Sequence, residues 1–542
     1  MPGLPMFRTL LFITTFSISL CARAQDVCPV IPAPVSSTAT NSNFLLSDRT
    51  VIVLQYPSLR NQAALLQEQL LKYTGIRVQM AAAGVNAAYL NSRSMDKNKF
   101  PSVIVLGKNN KGEDAYALNM NDSRVTIDAG GEEGLVYGIM SFVQLARLSN
   151  PQHQQATIAG WRIEDKPVMK WRGFMLDESR HFFGKETVKM LLDQMALYKL
   201  NKFHWHLTDA PGWRIEIKQY PRLTLVGGIG NSTDSLAPAS YYTQDEIAEI
   251  VAYASARQIT VIPEIDMPGH ATAANRAYPE FSGGGTAKYP EFTFNPGKEG
   301  TYQYLTNILR EVNVLFPAGM IHIGGDEVSF GSASWNTDVH VQNLMKRENL
   351  KSLVDVEHYF IRRMADSLQA INSKVLGWDE VTAAKLPVDE TIVFWWRQEK
   401  PDQLKTALEK GYKVVLCPRL PFYFDFVQDS SHTSGRRMGK EFNPLRRVYE
   451  FNMNNYPEIT DKNRSQIIGF QANQWTEVIR SKERLHFMTF PRLLAMAEAA
   501  WTVPEKKDFA GFGKRLAKFI PLLQQQGLYV MESPGKTPEP LR

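Results

Sequence analysis

From residue 169 onward the chain repeats one pattern. A short apolar run ends in polar or aromatic residues, and a stretch with helical spacing follows. The runs are KWRGFMLDESR (170–180), KFHWHLTD (202–209), QITVIPEIDMPGH (258–270), GMIHIGGDE (319–327), KVLGWDE (374–380), TIVFWWR (391–397), YKVVLCPRLPFYFD (412–425) and IIGFQANQWTE (467–477). Helical stretches such as KETVKMLLDQMALYKL (185–200) and TQDEIAEIVAYASARQ (243–258) lie between them. Eight strand–helix units over about 310 residues predict a closed (β/α)8 TIM barrel in an α/β chain. An open doubly wound sheet is the alternative architecture.

The preceding segment has another rhythm. TVIVLQY (50–56), SVIVLGK (102–108) and SRVTIDAG (123–130) predict strands. NQAALLQEQLLKYTG (61–75) and EEGLVYGIMSFVQLARL (132–148) predict amphipathic helices, the first closed by Gly75. A small α+β domain is expected over 25–165, with 25–45, rich in Pro, Ser, Thr and Ala, as an exposed lead-in. Pro167, in EDKPVMKWRG (164–173), marks the passage to a barrel domain over 166–510, and 511–542 is expected to be a helical tail packing on it.

At the start, Arg8 precedes the apolar run TLLFITTFSISL (9–20), and ARA follows at 22–24. This spacing predicts a secretory signal over 1–24, cut after Ala24, and export to a periplasmic or extracellular location. The run is too short to span a bilayer. Cys21 raises a lipid anchor as the alternative, which the bulky Leu20 before it disfavours. No later segment is long and apolar enough for a membrane helix.

Composition is that of an ordinary folded protein, 44% hydrophobic and 21% charged, with a net charge of +6 and no basic block. Nucleic acid is therefore not an expected partner. Oligomeric state is open, with a homodimer one option. Behind the signal only Cys28 and Cys417 remain, far apart and without zinc-type spacing. HWH (204–206) sets two histidines on one strand face, but no third ligand is indicated. Neither a metal nor a cofactor is expected.

In a barrel the strand tails converge on one pocket. They bring Arg180, His206, Asp209, Asp266, His270, Asp326, Glu327, Trp378, Asp379, Glu380, Trp396, Tyr423, Asp425, Trp475 and Glu477. Carboxylates between aromatic walls suit a carbohydrate, because indole faces stack on sugar rings and carboxylates accept hydrogen bonds from hydroxyls. Trp395 is expected in the core, since it neighbours Trp396 on a strand and faces the other way. Trp171, Trp205 and Trp213 are read as core or loop. His206 and His322 are read as packed residues as readily as site residues.

Seven segments resemble the β-N-acetylhexosaminidases of glycoside hydrolase family 20, in that family's order. They are WRGFMLDESRHF (171–182), FHWHLTD (203–209), PEIDMPGH (263–270), HIGGDE (322–327), GWDE (377–380), FYFDF (422–426) and ANQWTE (472–477). The N-terminal segment is similar to the family's usual preceding domain. The resemblance implies exo-acting, retaining hydrolysis of terminal β-linked N-acetylglucosamine or N-acetylgalactosamine, with a glycan or chito-oligosaccharide as partner. Most retaining glycosidases place two carboxylates across the anomeric carbon, and family 20 is an exception in which the 2-acetamido oxygen is the nucleophile. Adjacent residues on an extended strand point to opposite faces, so Asp326 and Glu327 are not expected to straddle a sugar.

By the same resemblance Glu327 is the general acid and then base. Asp326 holds the acetamido N–H, and an ionised Asp326 is expected to keep Glu327 protonated. Tyr423 donates to the acetamido oxygen, and Trp378, Trp396 and Trp475 form the walls around that group. Arg180, Asp425 and Glu477 read hydroxyls, while Asp209 and His270 support the acid. Asp379 and Glu380 are as readily groups that orient Trp378 as site residues. Two readings compete: a barrel glycosidase with Asp266 or Glu380 as covalent nucleophile, and a non-catalytic glycan-binding protein. Two departures from the family pattern stand out: EDKPVMKWRG lacks the usual arginine after proline, and Thr476 replaces the usual glycine before Glu477. The loops 227–240 and 428–440 either rim the pocket or are ordinary solvated surface.

Overall fold

The computed structural model describes residues 27–81, 102–152, 154–532 and 539–540. The signal segment, Cys21 and Ala24 lie outside the described residues. The first part forms a seven-stranded mixed sheet from β1 (Ser36–Ser47), β2 (Val51–Leu54), β3 (Gln79–Met80), β4 (Val103–Lys108), β5 (Tyr116–Met120), β6 (Arg124–Ala129) and β7 (Gln155–Asp165). Their order is β1-β7-β5-β6-β4-β2-β3. The expected exposed lead-in is corrected here: Ser36–Ser47 is an edge strand, paired antiparallel with β7. Ser36, Thr38, Asn41 and Asn43 face solvent, while its backbone completes the ladder and Phe44 and Leu46 reach the core. The helices Arg60–Thr74 and Glu132–Leu148 form where the sequence predicts them, and Gly75, at φ +71°, ends the first in the left-handed conformation.

The second part is a closed barrel. Its strands are β8 (Trp171–Asp177), β9 (Lys202–His206), β10 (Thr260–Met267), β13 (Met320–Gly324), β14 (Lys374–Trp378), β15 (Thr391–Trp395), β16 (Lys413–Leu416) and β17 (Ile467–Gln474), all parallel. A ribbon of β11 (Ser282–Gly284) and β12 (Thr293–Phe294) decorates one loop. The open doubly wound sheet is thus excluded. Between β14 and β15 the crossover holds only 3-10 turns, because 379–390 is too short for a helix and two loops.

Strand alternation sorts the side chains into two cores. Phe203, Trp205, Val393 and Trp395 join the large outer core under the helices. Trp171, Trp378, Phe394 and Trp396 join a second, inner cluster. Contacts across the lumen show which is inside: the rings of His204 on β9 and Phe394 on β15 are 5.7 Å apart, although those strands are not neighbours.

A buried polar seam joins the two parts. Lys199 Nζ lies 3.1 Å from Asp165 Oδ2, and both side chains are fully buried. Tyr116 and Trp501 donate to the same carboxylate at 2.8 and 3.0 Å. The helix Phe509–Gln525 lies over this region, with Arg515 paired to Glu498 at 2.6 Å and bonded to the Val30 carbonyl at 3.0 Å. No helix among the described residues is long and apolar enough to cross a membrane. Removing one partner of a buried ion pair strands the other charge. Asp165→Ala is therefore expected to cost about 3–5 kcal/mol, read as a lower urea midpoint, and an unchanged midpoint would contradict the seam's role.

Candidate active site

The site begins with a bend. β13 ends at Gly324, and Gly324, Gly325 and Glu327 have φ of +66°, +89° and +52°. Asp326 and Glu327 are therefore not on an extended strand, which corrects the expectation of opposite faces. The bend turns both carboxylates toward one imidazole: His270 Nε2 lies 3.7 Å from Asp326 Oδ2 and 3.6 Å from Glu327 Oε2. Glycine is required at 324 on two counts. Its φ disfavours any side chain, and a Cβ there would stand 1.8 Å from Asp266 Oδ1. His270 also holds a left-handed φ, +55°. Such backbone persists only where the surroundings fix it.

Behind His270 runs a line of buried charges. His270 Nδ1 is 2.9 Å from Asp209 Oδ1, and Asp209 Oδ2 is 3.0 Å from His206 Nε2. Arg180 reaches Asp209 at 2.6 Å. His206 Nδ1 is 2.7 Å from Glu264 Oε2, and Trp378 Nε1 donates to Glu264 Oε1 at 3.0 Å. Burial alone would lower both histidines. The Glu264 and Asp209 carboxylates instead raise His206 to about 10, and those of Asp209 and Asp326 raise His270 to about 9. Burial likewise works against ionising Asp209, yet Arg180 and His270 hold it well below the usual carboxylate range. His206 is thus a link in the line rather than a merely packed residue.

Glu264 was not singled out from the sequence. Its signal was phase: it alternates with Ile262 and Asp266 on an apolar strand, so it points into the lumen, where a charge needs partners. It also answers the missing third ligand beside HWH. Glu264 and His322 stand next to His204, with His204 Nε2 2.9 Å from Glu264 Oε2. Gln471 donates to His204 Nδ1 at 3.0 Å, which leaves the ring proton on Nε2, facing the carboxylate. Burial lowers His204 to about 4, so it stays neutral.

The aromatic wall is continuous. Trp378 and Trp475 lie 5.8 Å apart, Trp475 and Tyr423 6.1 Å, and Tyr423 and Trp396 6.2 Å with nearly parallel rings. Asp379 and Glu380 do not orient Trp378; Glu264 does. Trp396 N–H donates to Asp379 at 3.2 Å, and Trp396 Nε1 donates to Glu380 at 3.1 Å. Arg397 closes this corner, paired with Glu380 at 3.0 Å and with Asp379.

Arg180, Asp425 and Glu477 meet on the far side. Asp177 fixes two of them. It receives the Arg180 backbone N–H at 3.1 Å and the Thr476 N–H at 3.0 Å. The Thr476 hydroxyl donates to the Asp177 carbonyl at 3.0 Å and receives the His181 N–H at 3.2 Å. The threonine that departs from the family pattern therefore ties the end of β17 to the end of β8. The loop 428–440 does reach the site: Arg436 pairs with Asp425 at 3.2 Å and with Glu477. Sequence spacing gave no sign of this contact. Among the described residues Asp326 Oδ1, both Asp425 oxygens, Trp475 Nε1, Glu477 Oε2 and His270 Nε2 are buried and make no hydrogen bond.

Burial pushes Asp326 up to about 7, with His270 opposing and Glu327 adding to the rise. Asp326 is thus not the permanently ionised neighbour expected from the sequence. Burial and the charge of Asp326 push Asp266 well above the usual range.

The models of glycosyl hydrolase family 20 match this chain almost end to end, the catalytic domain at residues 169–504 and domain 2 at 27–166. The chain belongs to glycosyl hydrolase family 20. A β-hexosaminidase of Porphyromonas gingivalis is 34% identical over 520 residues, which is 92% of this family 20 chain and 64% of that relative. A β-N-acetylhexosaminidase of Cellulomonas fimi is 30% identical over 518 residues, covering 93% and 96%. The solved family 20 exo β-N-acetylglucosaminidase from Vibrio harveyi, in complex with N-acetylglucosamine, is similar with a TM-score of 0.84 at 29% identity, covering 94% of this chain and 79% of that one.

The raised Asp326 has a consequence for stability. Between pH 3.8, its ordinary value, and about 7 the folded protein keeps a proton that the unfolded chain has lost. This contribution is present in full at low pH and is lost as pH rises through that window. Asp326→Asn removes the dependence. The variant is expected to gain on the parent by about 4 kcal/mol at most between pH 4 and 7 in urea titrations, and a constant difference would contradict the assignment.

Proposed function

We propose that this family 20 protein is an exo-acting, retaining β-N-acetylhexosaminidase that removes terminal β-linked N-acetylglucosamine or N-acetylgalactosamine. The observation that carries this reading is the pairing of Asp326 and Glu327 about His270, beside the Trp378, Trp396, Tyr423 and Trp475 wall. Glu327 is one-third exposed and is the acid available to a glycosidic oxygen. Asp326, almost buried, is placed to accept the acetamido N–H and to offset the positive charge that grows there. Tyr423 donates to the acetamido oxygen as it attacks, and the indoles hold the group beneath the ring. His270, charged at neutral pH, passes the hold of Asp209 to the acid pair.

The geometry weighs against an enzyme nucleophile. Asp266 is buried against Gly324, and burial pushes its carboxyl well above the usual range, which disfavours the anion that a nucleophile must present. Glu380 is held by Trp396 and Arg397, and burial pushes it well above the usual range. The sugar's own acetamido oxygen then supplies the attack. It closes an oxazolinium ring as the leaving oxygen takes the Glu327 proton, and water activated by Glu327 reopens that ring with net retention. Export rests on the sequence of residues 1–24, and an N-terminus at Gln25 on the secreted protein is its check.

Glu327→Gln is expected to lower kcat on chitobiose about 10²–10⁴-fold, and less on an aryl glycoside whose leaving group needs no proton. A thiazoline mimic of the oxazolinium is expected to inhibit the parent strongly. Equal turnover of a β-glucoside with a plain 2-hydroxyl would overturn the mechanism, and full chitobiose turnover by Glu327→Gln would overturn the acid.

A further inference from the structure

A groove of about 510 Å³ opens beside the acid pair. Glu327 is among the residues lining it, and so is one edge of Trp396, whereas Asp326, Tyr423 and Trp475 are not. It thus meets the aromatic wall only at Trp396 and leaves Asp326, Tyr423 and Trp475, the inner part of the pocket, outside its lining. Its volume is in the range of small-ligand sites. An acid that protonates a glycosidic oxygen has the departing sugar on that outer side.

One wall of the groove is a braced aromatic. Phe330 is 38% exposed, and its N–H donates to the Glu327 carbonyl at 2.9 Å. The ring stacks on Tyr289 at 5.0 Å with 14° between planes, and Tyr289 meets Phe292 at 5.5 Å. Phe292 in turn lies 4.8 Å from the His270 ring. An open ring face is therefore fixed three residues from the acid, on a row of rings that ends at the residue orienting that acid.

The rest of the lining is polar, and its arginines are paired. Arg419 stacks over Trp396 at 4.3 Å and pairs with Glu399 at 2.7 Å. Arg397 is held by contacts with Asp379 and Glu380. Lys400 adds a positive charge, which Glu357, pushed up by burial to about 7, offsets in part. With both arginines already paired, such a surface offers hydrogen-bonding groups that suit an uncharged occupant rich in hydroxyls.

We propose that this groove is the leaving-group site, in which an uncharged sugar stacks on Phe330 while Arg419 and Glu399 bind its hydroxyls. The inference rests on Glu327 being the general acid. Phe330 is then a specificity-determining residue: it selects what the terminal sugar is attached to and does not select the terminal sugar itself.

The test compares the parent, Phe330→Ala and Phe330→Tyr on diacetylchitobiose and on methyl N-acetyl-β-glucosaminide. Stacking acts only where a second sugar is present. The ratio of kcat/KM on the disaccharide to that on the methyl glycoside is expected to fall about tenfold in Phe330→Ala, mainly through KM. Phe330→Tyr keeps the ring and is expected to hold the parent ratio. An unchanged ratio in Phe330→Ala would overturn the proposal and leave the hydrolase reading intact. So would faster turnover of a disaccharide whose reducing sugar is 6-sulfated. A parent that cleaves neither substrate would end both readings together.

Discussion

A carboxylate that stays ionised when buried in a barrel mouth must be paired, and two of them set the geometry of everything around them. Asp209 and Glu264 have almost no exposure. Leaving either unpaired would cost several kcal/mol, so their partners are fixed as firmly as the core. Asp209 gathers Arg180, His206 and His270 from three different strand ends. Glu264 gathers His206 and Trp378. His270, which touches Asp326 and Glu327, and Trp378, which forms part of the aromatic wall, thus inherit their positions from charge neutralisation deeper in the barrel.

The bend after β13 uses that frame. Gly324 lets the chain pass against Asp266, and Gly325 packs where a Cβ would meet Val381 at 2.7 Å. The result is that two neighbouring acids share one histidine instead of facing apart. Their environments then separate them. Asp326 is buried and resists ionisation, whereas Glu327 reaches toward the outer groove. One short turn so provides an inner group beside the aromatic wall and an outer group beside Phe330, which suits a reaction whose nucleophile belongs to the sugar.

Among the described residues the N-terminal sheet contributes none to this pocket, but it is not a loose appendage. Arg172, at the start of β8, donates to Tyr137 of the N-terminal domain at 2.5 Å, and Gln144 donates to the Leu197 carbonyl at 2.7 Å. The Asp165 seam joins β7 to the residues following the helix Lys185–Leu197. This closes the bottom of the barrel with satisfied polar groups and leaves the strand C-termini free for the site.

The order of residues alone determined the barrel, because each strand carries its own apolar run and eight runs close a ring. It also determined which strand tails bear acids and tryptophans, and the opposite facing of Trp395 and Trp396, since alternation is a local property of extended backbone. The sheet was less legible. β1 is mostly Ser, Thr and Asn, so ladder pairing rather than hydrophobicity makes it a strand, and β5 and β7 were not singled out although their burial alternates. Only the tertiary structure decided that Glu264 holds Trp378, that Asp379 and Glu380 hold Trp396, that Arg436 reaches Asp425 and Glu477, and that burial raises Asp326 while Glu327 lines the outer groove. Each of these depends on atoms brought together from distant segments, or on two left-handed glycines whose turn no periodicity records.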